Sequence, residues 1–248
     1  MENGTENEVI VSDDPTALSH AVAEAVIEQA QQAVLQRGLF TLVLAGGGTP
    51  LPAYRLLAAS PGMPWDKTYV FWGDERFVPP NHPDSNYRAS REALLVRVAP
   101  AQVFPIPTDG SPETAAEAYE GTLRTFFAEH SSTAAAFDLV LLGMGGDGHT
   151  ASLFPEGDFS GGKSSRWVQA VEGPAYRPPR LRITLTLAAM NRARSVFFLV
   201  AGVDKQPALR TILDRHEGAD ALPAAHLQPR ERLVWFTDRA AMGGKESG

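Results

Sequence analysis

The chain has 248 residues, 44% apolar and 21% charged, enough for one sizeable core or two small ones. Cysteine is absent, which excludes disulfides, zinc–thiolate sites and thiol nucleophiles and fits a reducing compartment. The formal net charge of −7 argues against a nucleic-acid or anionic-membrane surface, and no apolar run approaches the roughly 18–20 residues that span a bilayer.

In chain order, the acidic, polar stretch Met1 to Asn7 lacks the basic start and apolar run of a signal peptide, so a cytoplasmic protein is expected. A single domain is expected over 9–241, with 1–8 and 242–248 as flexible tails. Asp13-Asp14-Pro15 reads as a helix start, and helical spacing over 17–36 stops at Gly38. The apolar run 40–45 predicts a buried strand, followed by Gly46-Gly47-Gly48-Thr49 and a helix from Pro50 to about 59. Tyr69-Val70-Phe71-Trp72 is a second strand, after which Gly73-Asp74-Glu75-Arg76 opens a loop. Helices are expected over 85–98, capped by Asp84 or Ser85, and over 113–130. Strand 137–142 runs into Gly143-Met144-Gly145-Gly146-Asp147-Gly148-His149. The stretch 155–179, rich in Gly, Ser and Pro, reads as a long loop or lid with a short strand at 167–171. Strands follow at 182–187, 196–200 and 233–236, with a helix over 204–213.

Strands alternating with helices imply right-handed crossovers and an α/β fold, with a mainly parallel sheet covered by helices on both faces. Ligands of such sheets sit at the carboxyl ends of the strands. Three predicted strands end there in loops rich in Gly and charge: after Ala45, Trp72 and Leu142.

Each of these loops has a chemical and a bland reading. The turn Gly46-Gly47-Gly48-Thr49-Pro50 lets backbone approach a ligand and offers an anion the free amides of a helix start, or it is only a tight connection. It matches neither a Walker loop nor a GxGxxG fingerprint. Asp74-Glu75-Arg76 combines possible acid–base groups with a guanidinium suited to phosphate, or forms a surface salt bridge. Asp147-Gly148-His149 carries a base that works near neutral pH beside a carboxylate able to fix its tautomer, and the surrounding glycines offer amides to an oxyanion. Arg182 opens a strand, and Lys205 stands at a helix start, where the dipole disfavours a cation unless an anion binds. Either could equally be a surface charge. No two histidines stand at ligand spacing on a helix, so neither metal nor cofactor is expected.

Taken together, LAGGGTP at 44–50, WGDERFV at 72–78, DSNYR at 84–88 and LLGMGGDGHTASLFP at 141–155 resemble the 6-phosphogluconolactonases of the glucosamine-6-phosphate isomerase/deaminase superfamily. RITLT at 182–186, residues 202–205 and the 235–241 tail agree more loosely, and 156–176 shows no distinct family pattern. The resemblance implies a three-layer α/β/α sandwich similar to the deaminase and ribose-5-phosphate isomerase group. It further implies hydrolysis of 6-phospho-D-glucono-1,5-lactone to 6-phosphogluconate, in the oxidative branch of the pentose phosphate pathway. His149 would be the acid/base residue, and Gly46, Gly47, Gly48, Thr49, Arg76, Arg182 and Lys205 would hold the phosphate. In that scheme neutral His149 deprotonates water, loop amides receive the oxyanion, and either Asp147 or Asp74 steers the imidazole or substrate. The partner would be a small phosphorylated sugar lactone, with no nucleic acid or membrane, and the protein a monomer or weak homo-oligomer. Two other readings share the phosphate clamp: an amino-sugar phosphate isomerase/deaminase, and a sugar-phosphate sensor domain that performs no chemistry.

Overall fold

The computed structural model describes residues 6–130, 136–155, 157, 159 and 165–244. The first half of the chain forms β1 (Glu6–Ser12), α1 (Pro15–Arg37), β2 (Phe40–Leu44), α2 (Leu51–Ala59), β3 (Thr68–Trp72), β4 (Asp74–Arg76), α3 (Asn86–Ser90), β5 (Gln102–Phe104) and α4 (Pro112–His130). The second half forms β6 (Leu139–Gly143), β7 (Val168–Glu172), β8 (Leu181–Leu185), α5 (Leu187–Met190), β9 (Ser195–Val200), α6 (Gln206–Leu213) and β10 (Arg232–Asp238).

Local chemistry sets the helix ends. The Asp14 carboxylate accepts from the Ala17 amide at 2.8 Å, Pro15 occupies the first turn, and Gly38 closes α1 at φ 78°, a left-handed conformation that favours glycine. α1 buries Leu18, Val22, Val26, Ala30 and Ala33 against the sheet, one apolar stripe of a long helix.

The main sheet has seven strands in the order β1-β10-β9-β6-β2-β3-β5, all parallel. β2 and β9 are buried throughout, as continuous apolar strands covered on both faces should be. Adjacent residues of β3 reveal the two helical layers. Phe71 packs against Phe126 and Phe127 of α4, whereas the next residue, Trp72, donates its indole N–H to Ser90 of α3 and meets Tyr87 edge-on. The architecture is a three-layer α/β/α sandwich with a mainly parallel sheet.

Several details depart from expectation. The Asp74-Glu75-Arg76 segment is a strand, not the start of a loop, and pairs antiparallel with β8 in a second sheet ordered β4-β8-β7. The helix expected over 85–98 is the short α3 followed by one widened turn at Arg91–Leu95. β5 had no clear sequence signal because it is three residues long. β1 begins at Glu6, inside the expected tail, and pairs with β10 over its whole length. Residues 156, 158 and 160–164 of the expected lid, and 1–5 and 245–248 of the expected tails, lie outside the described residues.

Candidate active site

The order of the main sheet reverses between β2 and β6. From β2 the chain proceeds outward through β3 to β5, and from β6 it proceeds the other way through β9 and β10. At such a switch point the loops leaving two adjacent strands diverge to opposite faces and open a crevice. Here those loops are Ala45–Thr49 and Met144–His149. A cleft of about 250 Å³ lies between them, lined also by Asp74, Arg76, Arg177, Arg182 and Lys205.

One side of the cleft suits an anion. The backbone at Gly47 has φ 87°, and a Cβ on Gly46 would collide with the Asn86 side chain, so this turn requires glycine at both positions. Tyr54, in the following helix, holds the turn: its buried hydroxyl accepts from the Ala45 amide at 2.8 Å and donates to the Ala45 carbonyl at 2.9 Å. Burial pushes the Tyr54 phenol above its ordinary pKa, so it stays neutral. Across the cleft, β4 and β8 place Arg76 directly opposite Arg182. Like charges at such a position repel, and among the described residues neither guanidinium forms an ion pair. Arg76 donates to the Asp84 carbonyl at 2.9 Å, and Arg182 to the carbonyls of Pro179 and Arg177 at 3.1 and 2.9 Å. Burial, then the charge of Arg76, lowers the pKa of Arg182. A bound dianion would offset both penalties. Lys205 completes this set, with its ammonium 2.8 Å from the Asp204 carboxylate.

The other side holds the histidine. Asp147 Oδ1 lies 2.5 Å from His149 Nδ1 and accepts from the His149 amide at 3.2 Å, so the carboxylate grips both ring and backbone of a residue two positions away. A Cβ on Gly145 would collide with the His149 ring and the Asp147 carboxylate, which explains a glycine there. The ring also rests against Phe154, with centroids 5.0 Å apart. Burial raises the pKa of Asp147, but the hydrogen bond and charge of His149, then Arg177, outweigh it and hold the carboxyl well below the usual range. A ring that donates Nδ1–H to Asp147 leaves Nε2 as its acceptor nitrogen.

Strand alternation separates the three charges of β4. Asp74 and Arg76 line the cleft, while Glu75 turns away and accepts from the amides of Arg76, Asn86 and Tyr87 at 2.7–2.8 Å and from Ser85 Oγ at 3.0 Å. Burial raises the Glu75 pKa against those donors. Its work is to fasten the start of α3. Asp74 accepts from Ser152 Oγ at 2.6 Å and Asn86 Nδ2 at 3.1 Å, and neither bond involves His149.

All ten residues singled out from sequence therefore gather around one cleft, Asp147 just behind His149. The amides expected to receive an oxyanion are partly engaged elsewhere. Gly145 N–H donates to the His149 carbonyl and Gly148 N–H to the Gly145 carbonyl, both at 2.9 Å. Sequence reasoning missed Asn86, Ser152, Tyr54 and Arg177. The first three act through hydrogen bonds that no local sequence pattern announces; Arg177 lies in the irregular segment before β8.

The match to known proteins agrees with this geometry. Residues 13–235 match the family of glucosamine-6-phosphate isomerases and 6-phosphogluconolactonases. Two cyanobacterial relatives named 6-phosphogluconolactonase are 44% identical over 85% of this chain and 86% of the Synechocystis protein, and 42% identical over 94% and 96% for Nostoc. The crystal structure of a 6-phosphogluconolactonase from Thermotoga maritima superposes with a TM-score of 0.80 at 32% identity, covering 94% of this chain and 99% of that one. A glucosamine-6-phosphate deaminase at 19% identity shares the fold, with a TM-score of 0.80. The chain belongs to the glucosamine-6-phosphate isomerase/6-phosphogluconolactonase family.

Proposed function

We propose that this protein hydrolyses 6-phospho-D-glucono-1,5-lactone to 6-phospho-D-gluconate. The observation that carries the reading is a carboxylate-braced histidine sharing one small cleft with a cluster of cations. A phosphate seated on Arg76, Arg182, Lys205 and the Gly46–Thr49 turn would present the sugar ring to His149. The names of the relatives at 42–44% identity favour the lactonase over the isomerase/deaminase reading, and the histidine–carboxylate pair favours an enzyme over a sensor.

In the proposed mechanism, Nε2 of neutral His149 takes a proton from water as its oxygen bonds to the lactone carbonyl carbon. Asp147 holds the ring in the required tautomer and stabilises the imidazolium. The tetrahedral intermediate then collapses with cleavage of the bond to the ring oxygen. That oxygen receives the proton from His149 and becomes the C5 hydroxyl, and the acid formed ionises to solvent. Asp74, fixed by Ser152 and Asn86, orients substrate hydroxyls. The cysteine-free composition supports a reducing, cytoplasmic setting, and among the described residues no helix is long and apolar enough to cross a membrane.

The test is an assay on freshly generated lactone, corrected for spontaneous hydrolysis. His149→Ala should lower kcat by about 10²–10⁴-fold while the fold survives, the size of one acid–base group. Unchanged kcat would overturn the assignment, and ammonia release from glucosamine 6-phosphate by the native protein would return the deaminase reading.

A further inference from the structure

We propose that Arg177 is a specificity-determining residue that recognises the negative charge created at the reacting carbonyl carbon, first as the oxyanion and then as the product carboxylate. This inference rests on the lactone hydrolysis proposed above.

Hydrolysis turns a neutral carbonyl into an anion, and only contacts that strengthen along that change assist it. The neighbourhood of His149 has few donors left for that task. The amides of Gly145 and Gly148 are engaged within their own loop, and the His149 amide is held by Asp147. Arg76, Arg182 and Lys205 are the cations given to the phosphate in the proposed function. Arg177 differs from them in the group it meets: its Nη2 lies 3.4 Å from Asp147 Oδ2, one carboxylate away from the imidazole, and its side chain lines the cleft with about 36% of its surface exposed.

The Arg177–Asp147 contact is an ion pair without a hydrogen bond. Asp147 Oδ2 and Arg177 Nε are both buried and have no hydrogen-bond partner among the described residues. A guanidinium offers five N–H donors in a planar fork, and carboxylates are its best-fitting partners. The pair as it stands uses little of that capacity. Its backbone is nevertheless anchored, because the Arg177 carbonyl accepts from Arg182 Nη2 at 2.9 Å. Arg177 is thus tied to Arg182 through its main chain while its charge meets the carboxylate that braces His149.

Two competitive inhibitors isolate this role: 6-phosphogluconate and glucitol 6-phosphate, which carry the same phosphate but end in a carboxylate and an alcohol respectively. In Arg177→Gln, the inhibition constant of 6-phosphogluconate should rise about tenfold or more, as expected for losing a charge-assisted hydrogen bond. That of glucitol 6-phosphate should hardly change, and Arg177→Lys should retain part of the discrimination. An equal rise for both inhibitors would make Arg177 part of the phosphate clamp and overturn the proposal. So would unchanged values for both, which would mark an arm that only braces Asp147. Direct binding of the two compounds separates this inference from the reading beneath it. If the native protein discriminates through Arg177 without hydrolysing lactone, the function fails and the carboxylate subsite stands.

Discussion

Two carboxylates face the candidate site, and their surroundings give them different work. Asp74 is held by hydroxyl and amide donors of Ser152 and Asn86, neutral groups that fix its direction. Asp147 is held by the His149 ring and faces the Arg177 guanidinium, so a cation opposes its charge. In Asp147→Asn the imidazole loses its partner, and kcat should fall about 10²-fold or more with little change in KM. The same substitution has a pH signature. Because the folded state depresses the Asp147 pKa, its stabilisation is present above the unfolded value of about 3.9 and is lost as pH falls below it. The difference in Tm between native protein and D147N should therefore be largest near neutrality and shrink in acid; a constant difference would show that the ion pair does not couple to folding. The Asp147–His149 pair was legible in the sequence because the partners are two residues apart in a glycine loop. Which carboxylate steers the ring was not, since Asp74 is brought near by the β4–β8 pairing.

At the level of elements, the ends of β2 and β3 share one device. Tyr54 from one helical layer brackets the backbone of Ala45, and Tyr119 from the other brackets Trp72, accepting from its amide at 3.0 Å and donating to its carbonyl at 3.1 Å. Each phenol satisfies two buried main-chain groups where a strand leaves the sheet for a site loop. Tyr54→Phe should lower stability by about 1–3 kcal/mol for the polar groups left unpaired, read as a fall in Tm. Since Ala45 precedes the glycine turn, KM for the phosphorylated substrate should rise more than kcat falls; a fall in kcat with unchanged KM would place the effect outside the anion side. Neither tyrosine announces itself, because Tyr54 and Tyr119 read only as apolar positions of amphipathic helices. The long helices and buried strands were legible from periodicity and caps. β4 was not: three charged residues carry no strand pattern, and pairing with β8 alone makes them one.

Across the whole molecule, a net charge of −7 surrounds a cleft containing Arg76, Arg177, Arg182 and Lys205. On this balance of charge a phosphorylated substrate should be repelled at a distance and attracted at contact. Salt at physiological strength screens beyond about 8 Å, so it removes the distant repulsion before the contact attraction. With sodium chloride, kcat/KM should stay level or rise from low to physiological ionic strength, and sulfate at equal ionic strength should inhibit competitively. A steep fall with chloride would show that the field at the mouth is already attractive.

The pairing of β1 with β10 has a consequence in time. Once made, β1 waits for its neighbour until residues 232–238 have also left the ribosome. That edge of the sheet closes only after every residue between the two strands exists, and parallel pairings of such long sequence separation form slowly. Until then β10 itself is missing between β9 and β1, and the apolar face of α1 that packs on it lacks cover. The nascent protein is therefore most vulnerable to aggregation before β10 emerges, and cutting the chain before residue 232 should leave a species that chaperones retain.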